Sequence, residues 1–202
     1  MQNSNTKKLV GVSMLAAVAF ILMFFAFPII PGVTFLKIDF SDIPVLLGMF
    51  LYGPVAGIAV ALIRTILHYV QTGGDAGYPI GDIASLVASL AYCLPIYYIM
   101  ENKAENAKNI IVANVLGTIS LTAILSILNA YVLIPLYFAV LNFSVGPVQK
   151  YVFYGVVPFN LIKGLVVSTV FIALYKKLKP WILKNQLVKT TYSPYTTVEK
   201  NR

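Results

Sequence analysis

Charge is what this sequence has least of. Only 11% of its 202 residues are Asp, Glu, Lys or Arg, and mean hydropathy is +0.83. Soluble domains carry roughly a quarter charged residues, so the composition excludes a soluble fold and requires an integral membrane protein. A single cysteine, Cys93, excludes a disulfide framework within the chain. No H-E-x-x-H, C-x-x-C or other metal-ligand spacing occurs, so no metal is expected. A G-x-S-x-G elbow and a P-loop are also missing, so nothing in the chain is expected to hydrolyse ATP and no catalytic residue is assigned. The acids Asp39, Asp42, Asp75, Asp82, Glu101, Glu105 and Glu199 all fall in expected loops, helix starts or the tail. An intramembrane lipid-processing enzyme would want a carboxylate or an activated nucleophile in mid-membrane, and none is visible.

What is there is a series of apolar runs. The expected all-α plan has helices at about 9–27, 43–52, 54–71, 81–100, 109–140 and 150–178, with an outer lid loop over 28–41. These form one membrane domain, 1–189, followed by a polar tail, 190–202. The first run follows Lys7 and Lys8 as in a signal peptide, but it is too long and no A-x-A-like site follows, so it reads as a retained helix. Gly53-Pro54 should break the long stretch from Ile43 to Gln71. Charge placement decides the count. Lysines gather before the first run and after the last, at Lys176, Lys177, Lys179, Lys184 and Lys189. Both ends are then cytoplasmic, which needs an even number of crossings: six helices, the second short. The net charge of +8 thus reads as topology rather than as a nucleic-acid surface.

Residues 158–164, Pro-Phe-Asn-Leu-Ile-Lys-Gly, interrupt an otherwise apolar span. A lysine there costs roughly 2.5–3.5 kcal/mol on insertion scales and by default marks a functional site. Asn160, Lys163 and Gly164 share one helical face, and Pro158 frees the carbonyl of Tyr154. Asn129 lies thirteen residues before Asn142, while Asn160 and Lys163 lie eleven and fourteen after Gln149. Antiparallel helices joined by that outer loop would bring the three to one depth, about 15–20 Å down, with Ser126 one turn below Asn129. The bland alternative is interhelical hydrogen bonding; a lysine at the same level favours a site. Lys163 has no intrahelical mate, so a water-filled cavity, carbonyls, a ligand or the loop at Asp39 must meet it. Arg64 and His68 form an i,i+4 pair; Arg64 is expected to meet Asp39, Asp42, Asp75 or Asp82, and His68 reads as structural. On the first helix Ser13 and Ala17 have small-xxx-small spacing, which serves either internal packing or docking of a membrane partner.

These residues resemble the S components of energy-coupling factor (ECF) vitamin transporters, and within them the riboflavin-specific members. The likeness rests on residues 158–164, the leader Lys-Leu-Val-Gly-Val-Ser-Met-Leu-Ala-Ala-Val-Ala-Phe, Phe-Ser-Asp-Ile-Pro and Leu-Tyr-Gly-Pro, and covers 7–180. It implies a riboflavin-binding subunit of a bacterial cell membrane, working with a membrane coupling (T) subunit and two ATPase (A) subunits. Riboflavin would be bound as substrate, with no cofactor. Asn129, Asn160 and Lys163 would hydrogen-bond it, and the loop carrying Phe35, Leu36, Asp39 and Phe40 would close over it. Phe35, Phe40, Tyr131 or Phe159 would pack the ring faces, and Asp39 would partly compensate Lys163. The coupling subunit would be met near Ser13, Ala16 and Ala17, where the family has Ala-x-x-x-Ala and this chain departs from it. An S component for a different vitamin is the nearest alternative.

Overall fold

The computed structural model describes residues 4–29, 36–101, 106–142 and 146–187. Six helical rods run through it: α1 (Ser4–Phe24), α2 (Asp42–Tyr52), α3 (Pro54–Thr72), α4 (Ile80–Met100), α5 (Ala107–Leu141) and α6 (Val148–Asn185). Five are long and apolar enough to cross a bilayer; α2, with 11 residues, is the short one. At 1.5 Å per residue α2 is about 16 Å long, half the hydrocarbon thickness.

The break between α2 and α3 is built from two residues. Gly53 takes φ 94°, which a side chain disfavours, and its N–H closes α2 onto the Met49 carbonyl at 2.9 Å. Pro54 then starts α3, where its missing N–H costs nothing. Nine of the eleven α2 residues are buried, because α1, α3, α4 and α6 all pack around it. That explains a helix apolar on every side. Val45, Leu46 and Met49 meet Val60 and Ala61 of α3, Ile96 of α4 and Phe171 of α6 in one core. Phe50 is ringed by Tyr97, Phe171 and Tyr175 at centroid distances of 5.5, 6.2 and 5.2 Å. The outward faces of α5 and α6, with Ile111, Ile119, Ile127 and Leu165, are exposed and apolar, as lipid contact requires.

The two ends of the bundle differ. At one, the Leu187 N–H donates to the Leu51 carbonyl at 2.8 Å, tying the chain after α6 to the α2–α3 corner. Lys7, Lys8, Lys108, Lys176, Lys177, Lys179 and Lys184 lie toward that end, which the positive-inside rule makes cytoplasmic. At the other end α1 stops at Phe24, short of 27, because Phe27 and Pro28 form strand β1. This strand pairs antiparallel with β2 (Lys37–Ile38), Phe27 opposite Ile38 and Pro28 opposite Lys37. The loop 28–41 is therefore gathered by a two-stranded ribbon; residues 30–35 within it, Phe35 included, lie outside the described residues, as does the tail from 188. α6 continues past 178 to Asn185 with Pro180 inside it, and Ile182 of this extension is buried in the core.

Packing of α3 on α2 is tightest at Gly57, where an added Cβ would lie 2.1 Å from Met49 Cγ and 2.9 Å from the Val45 carbonyl oxygen. Backbone cannot retreat as a side chain can. Gly57→Ala should therefore lower stability by about 1–3 kcal/mol, read as a drop in the detergent-solubilised unfolding midpoint. An unchanged midpoint would mean that α2 and α3 are not held at this distance.

A candidate ligand-binding cavity

Two amides, an ammonium and three further charges define the outer half of the bundle. α5 and α6 each carry one π-helical turn at this level, Asn129–Leu133 and Val152–Val156, each followed by a proline, Pro135 and Pro158. Such insertions rotate the following residues and recur at functional sites. Asn129 Nδ2 donates to the Leu125 carbonyl at 2.8 Å, and Asn160 Nδ2 to the Val156 carbonyl at 2.9 Å. Each amide thus uses one N–H on its own helix, which leaves its second N–H and Oδ1 for a ligand.

Lys163 is 7% exposed. Its Nζ lies 3.6 Å from Asp39 Oδ2 and 3.8 Å from Asp42 Oδ2. Behind them sits Arg64, 0% exposed. Its Nη1 donates to Ser41 Oγ and, at 3.3 Å, to Asp42 Oδ1; its Nη2 donates to Ser89 Oγ, which in turn donates to Asp42 Oδ1. Asp39 Oδ1 accepts from the Ser41 N–H at 2.8 Å and from the Ser41 hydroxyl. Burial alone would raise the Asp39 carboxyl, but Lys163, Arg64 and the Ser41 hydrogen bonds outweigh it and hold it below its ordinary value. Asp39 is therefore a carboxylate at neutral pH. Two cations and two anions make a quartet of zero net charge, the condition under which buried ions are tolerable.

The quartet borders a cavity of about 780 Å³ at the outer end, walled by the end of α1, the ribbon, the α3–α4 turn, α5 and α6. Of the residues singled out from sequence, Asn129, Asn160, Lys163, Leu36, Asp39 and Phe159 line it. Others do not. Tyr131 is 79% exposed, since two residues past Asn129 is the opposite face of the helix. Phe40 is half-buried and packs against the hydrophobic core instead. Ala16 is fully buried with Val12 and Ala19, so its face of α1 looks inward, while Ser13 and Ala17 are exposed. An Ala16 contact with a partner is thereby corrected to an internal one. Ser126 Oγ is buried without a hydrogen-bond partner.

The structure adds wall residues that sequence reading did not place in the site: His68, read there as structural, Asp75 and Asp82, named only as possible mates of Arg64, and Thr72, Leu133, Tyr137 and Tyr151. His68 Nδ1 lies 2.6 Å from Asp82 Oδ1, so the i,i+4 pair with Arg64 splits, one residue to each end of the site. One signal was available, since Asn129, Leu133 and Tyr137 recur every four residues. A wall of amide acceptors, a charge-balanced ammonium, Phe159 and aliphatic side chains can hold an uncharged, partly planar molecule with donors and acceptors along its edge. Among the described residues no group of three His, Cys, Asp or Glu could hold a metal.

Comparison with known proteins agrees with this geometry. Residues 7–175 match the family model for the ECF transporter, substrate-specific component. The riboflavin transporter FmnP of Bacillus subtilis (strain 168) is 43% identical over 180 residues, covering 87% of this chain and 94% of that protein. The riboflavin transporter RibU of Staphylococcus aureus (strain TCH60) is 43% identical over 174 residues, 85% of this chain and 90% of its own. A solved S component of a bacterial ECF transporter superposes with a TM-score of 0.75 at 41% identity, over 89% of this chain and 99% of that one. With the family model matched over residues 7–175 and the fold and most of its length in common with these proteins, the chain belongs to the family of ECF transporter substrate-specific components.

Proposed function

We propose that this chain is the riboflavin-binding, substrate-specificity subunit of an ECF-type vitamin uptake transporter in a bacterial plasma membrane. The observation that carries the reading is the uncharged sum of the Lys163, Asp39, Asp42 and Arg64 cluster beside two free amide oxygens. Isoalloxazine is planar and neutral, and one edge alternates carbonyl acceptors with an N–H donor. An ammonium meets the acceptors, the Asn129 and Asn160 oxygens meet the donor, and Phe159 and the aliphatic wall pack the ring. A neutral ligand gains a charge-assisted hydrogen bond here without importing a charge into the membrane. Relatives named as riboflavin transporters support the same ligand.

ATP hydrolysis belongs, on this reading, to two A subunits, and a T subunit couples them to this chain. Ser13 and Ala17, exposed on α1, are the residues offered to the coupling subunit. An S component for another vitamin is tested by the same titration with competing vitamins.

Purified protein should carry the yellow flavin spectrum or, when stripped, quench riboflavin fluorescence on titration; colourless protein without quenching would exclude this ligand. Asn160→Ala and Lys163→Ala should each weaken riboflavin binding by about 5–150-fold, the loss of one buried hydrogen bond. A variant within twofold of wild type removes that residue from the site. Ala17→Trp should leave riboflavin affinity intact and abolish uptake by the assembled transporter; lost affinity would instead place Ala17 in the internal packing.

A further inference from the structure

The cavity has two ends of different character. At the α6 end the charges cancel within the quartet. At the other, beside the α3–α4 turn, the wall holds His68, Thr72, Asp75, Asp82 and Tyr137. Asp82 has His68 at 2.6 Å. Asp75 has no cationic partner among the described residues: its Oδ2 accepts from the Gly81 N–H and from the Tyr137 hydroxyl, both at 2.8 Å. The turn that carries it has a set shape. Gly73, Gly74, Ala76 and Gly77 all take positive φ, Asp75 bridges to Tyr78 through two backbone hydrogen bonds, and the Tyr69 hydroxyl donates to the Gly77 carbonyl at 3.0 Å. Among the described residues, Lys37 is the one further lysine in the wall. Asp75 therefore presents to the cavity a carboxylate that no cation answers within ion-pair distance among the described residues.

We propose that Asp75, with Asp82 held by His68, sets the specificity of the cavity by accepting hydrogen bonds from the hydroxyls of an uncharged polyol chain and excluding its phosphate ester. The inference rests on the riboflavin reading and deepens it, since a cavity of about 780 Å³ is of the size that takes a whole small molecule, and its wall carries Asp75 and Asp82 besides the amides and Lys163. A hydroxyl is a donor, and its bond to a carboxylate is charge-assisted. A phosphate at neutral pH brings about 1.5–2 negative charges and acceptor oxygens only. Placed against Asp75 it meets like charge in a partly desolvated site, where repulsion is screened far less than in water. Ring recognition is common to both flavins, so the discrimination falls on this end.

The test compares riboflavin with riboflavin 5′-phosphate by fluorescence titration of the purified full chain, wild type against Asp75→Asn. Asparagine keeps an oxygen for Gly81 and Tyr137 while removing the charge. Wild type should prefer riboflavin, and Asp75→Asn should cut that preference about tenfold, chiefly by tighter phosphate binding, with high salt narrowing the wild-type preference. Asp82→Asn is the second variant and should move the ratio in the same direction. An unchanged ratio in both variants overturns the proposal, as does a wild-type protein that binds the two flavins equally. A wild type that binds neither flavin overturns the riboflavin reading and this one with it.

Discussion

The rest of the structure is arranged around one constraint, which is that an ammonium inside a membrane must be balanced. Lys163 stands in an apolar helix, and its two carboxylates come from the residue directly after strand β2 and the first residue of α2. Holding them there requires α2 to begin deep in the protein, so α2 must be short and must turn back at Gly53. It also requires Arg64, whose guanidinium fixes Ser41, Asp42 and Ser89 from α3 and so joins three elements behind the lysine. Removing one partner from such a buried set leaves an uncompensated charge, which is far costlier than the set is stabilising. Fold and site are consequently one problem in this chain.

The same balance explains the ligand class. An isolated lysine would select an anion; a lysine whose charge is already answered acts as a hydrogen-bond donor. Next to it the Asn129 and Asn160 amides offer acceptor oxygens, their orientation fixed by one N–H bond each to the Leu125 and Val156 carbonyls of their own helices. The π-helical turns set which residues follow on the cavity side, and Pro158 and Pro135 sit where the hydrogen-bond ladder is already altered.

Much of this could be read from residues alone, and the limit is physical. The six-helix plan followed from apolar runs, the Gly53-Pro54 break and the lysine asymmetry, all of which are local or one-dimensional. Equal residue counts on either side of one outer loop brought Asn129, Asn160 and Lys163 to a common level, because helix rise is constant. Asp39 could be named only as one candidate mate of Lys163, and Asp42 not at all, since both lie about 120 residues earlier and nothing local connects them to α6. Spacing also failed on which way a side chain faces: Tyr131 points outward, Phe40 packs into the core and Ala16 turns inward. Each of these depends on helix rotation, and a π turn or an α1 that packs on one side alters rotation without leaving a mark in composition. Asp75 and Asp82 entered only as loop or helix-start acids that could meet Arg64, and Tyr137 not at all, until the fold brought them to one wall.

Charge balance behind Lys163 is tested most directly by riboflavin titration of Arg64→Met, Asp42→Asn and the double variant. Neither residue lines the cavity. Each single substitution should nevertheless weaken binding at least about tenfold by unbalancing the cluster, and the double variant, neutral again, should lose less than the two singles combined. Single variants that bind riboflavin as wild type does would contradict the dependence of the site on its buried charge balance.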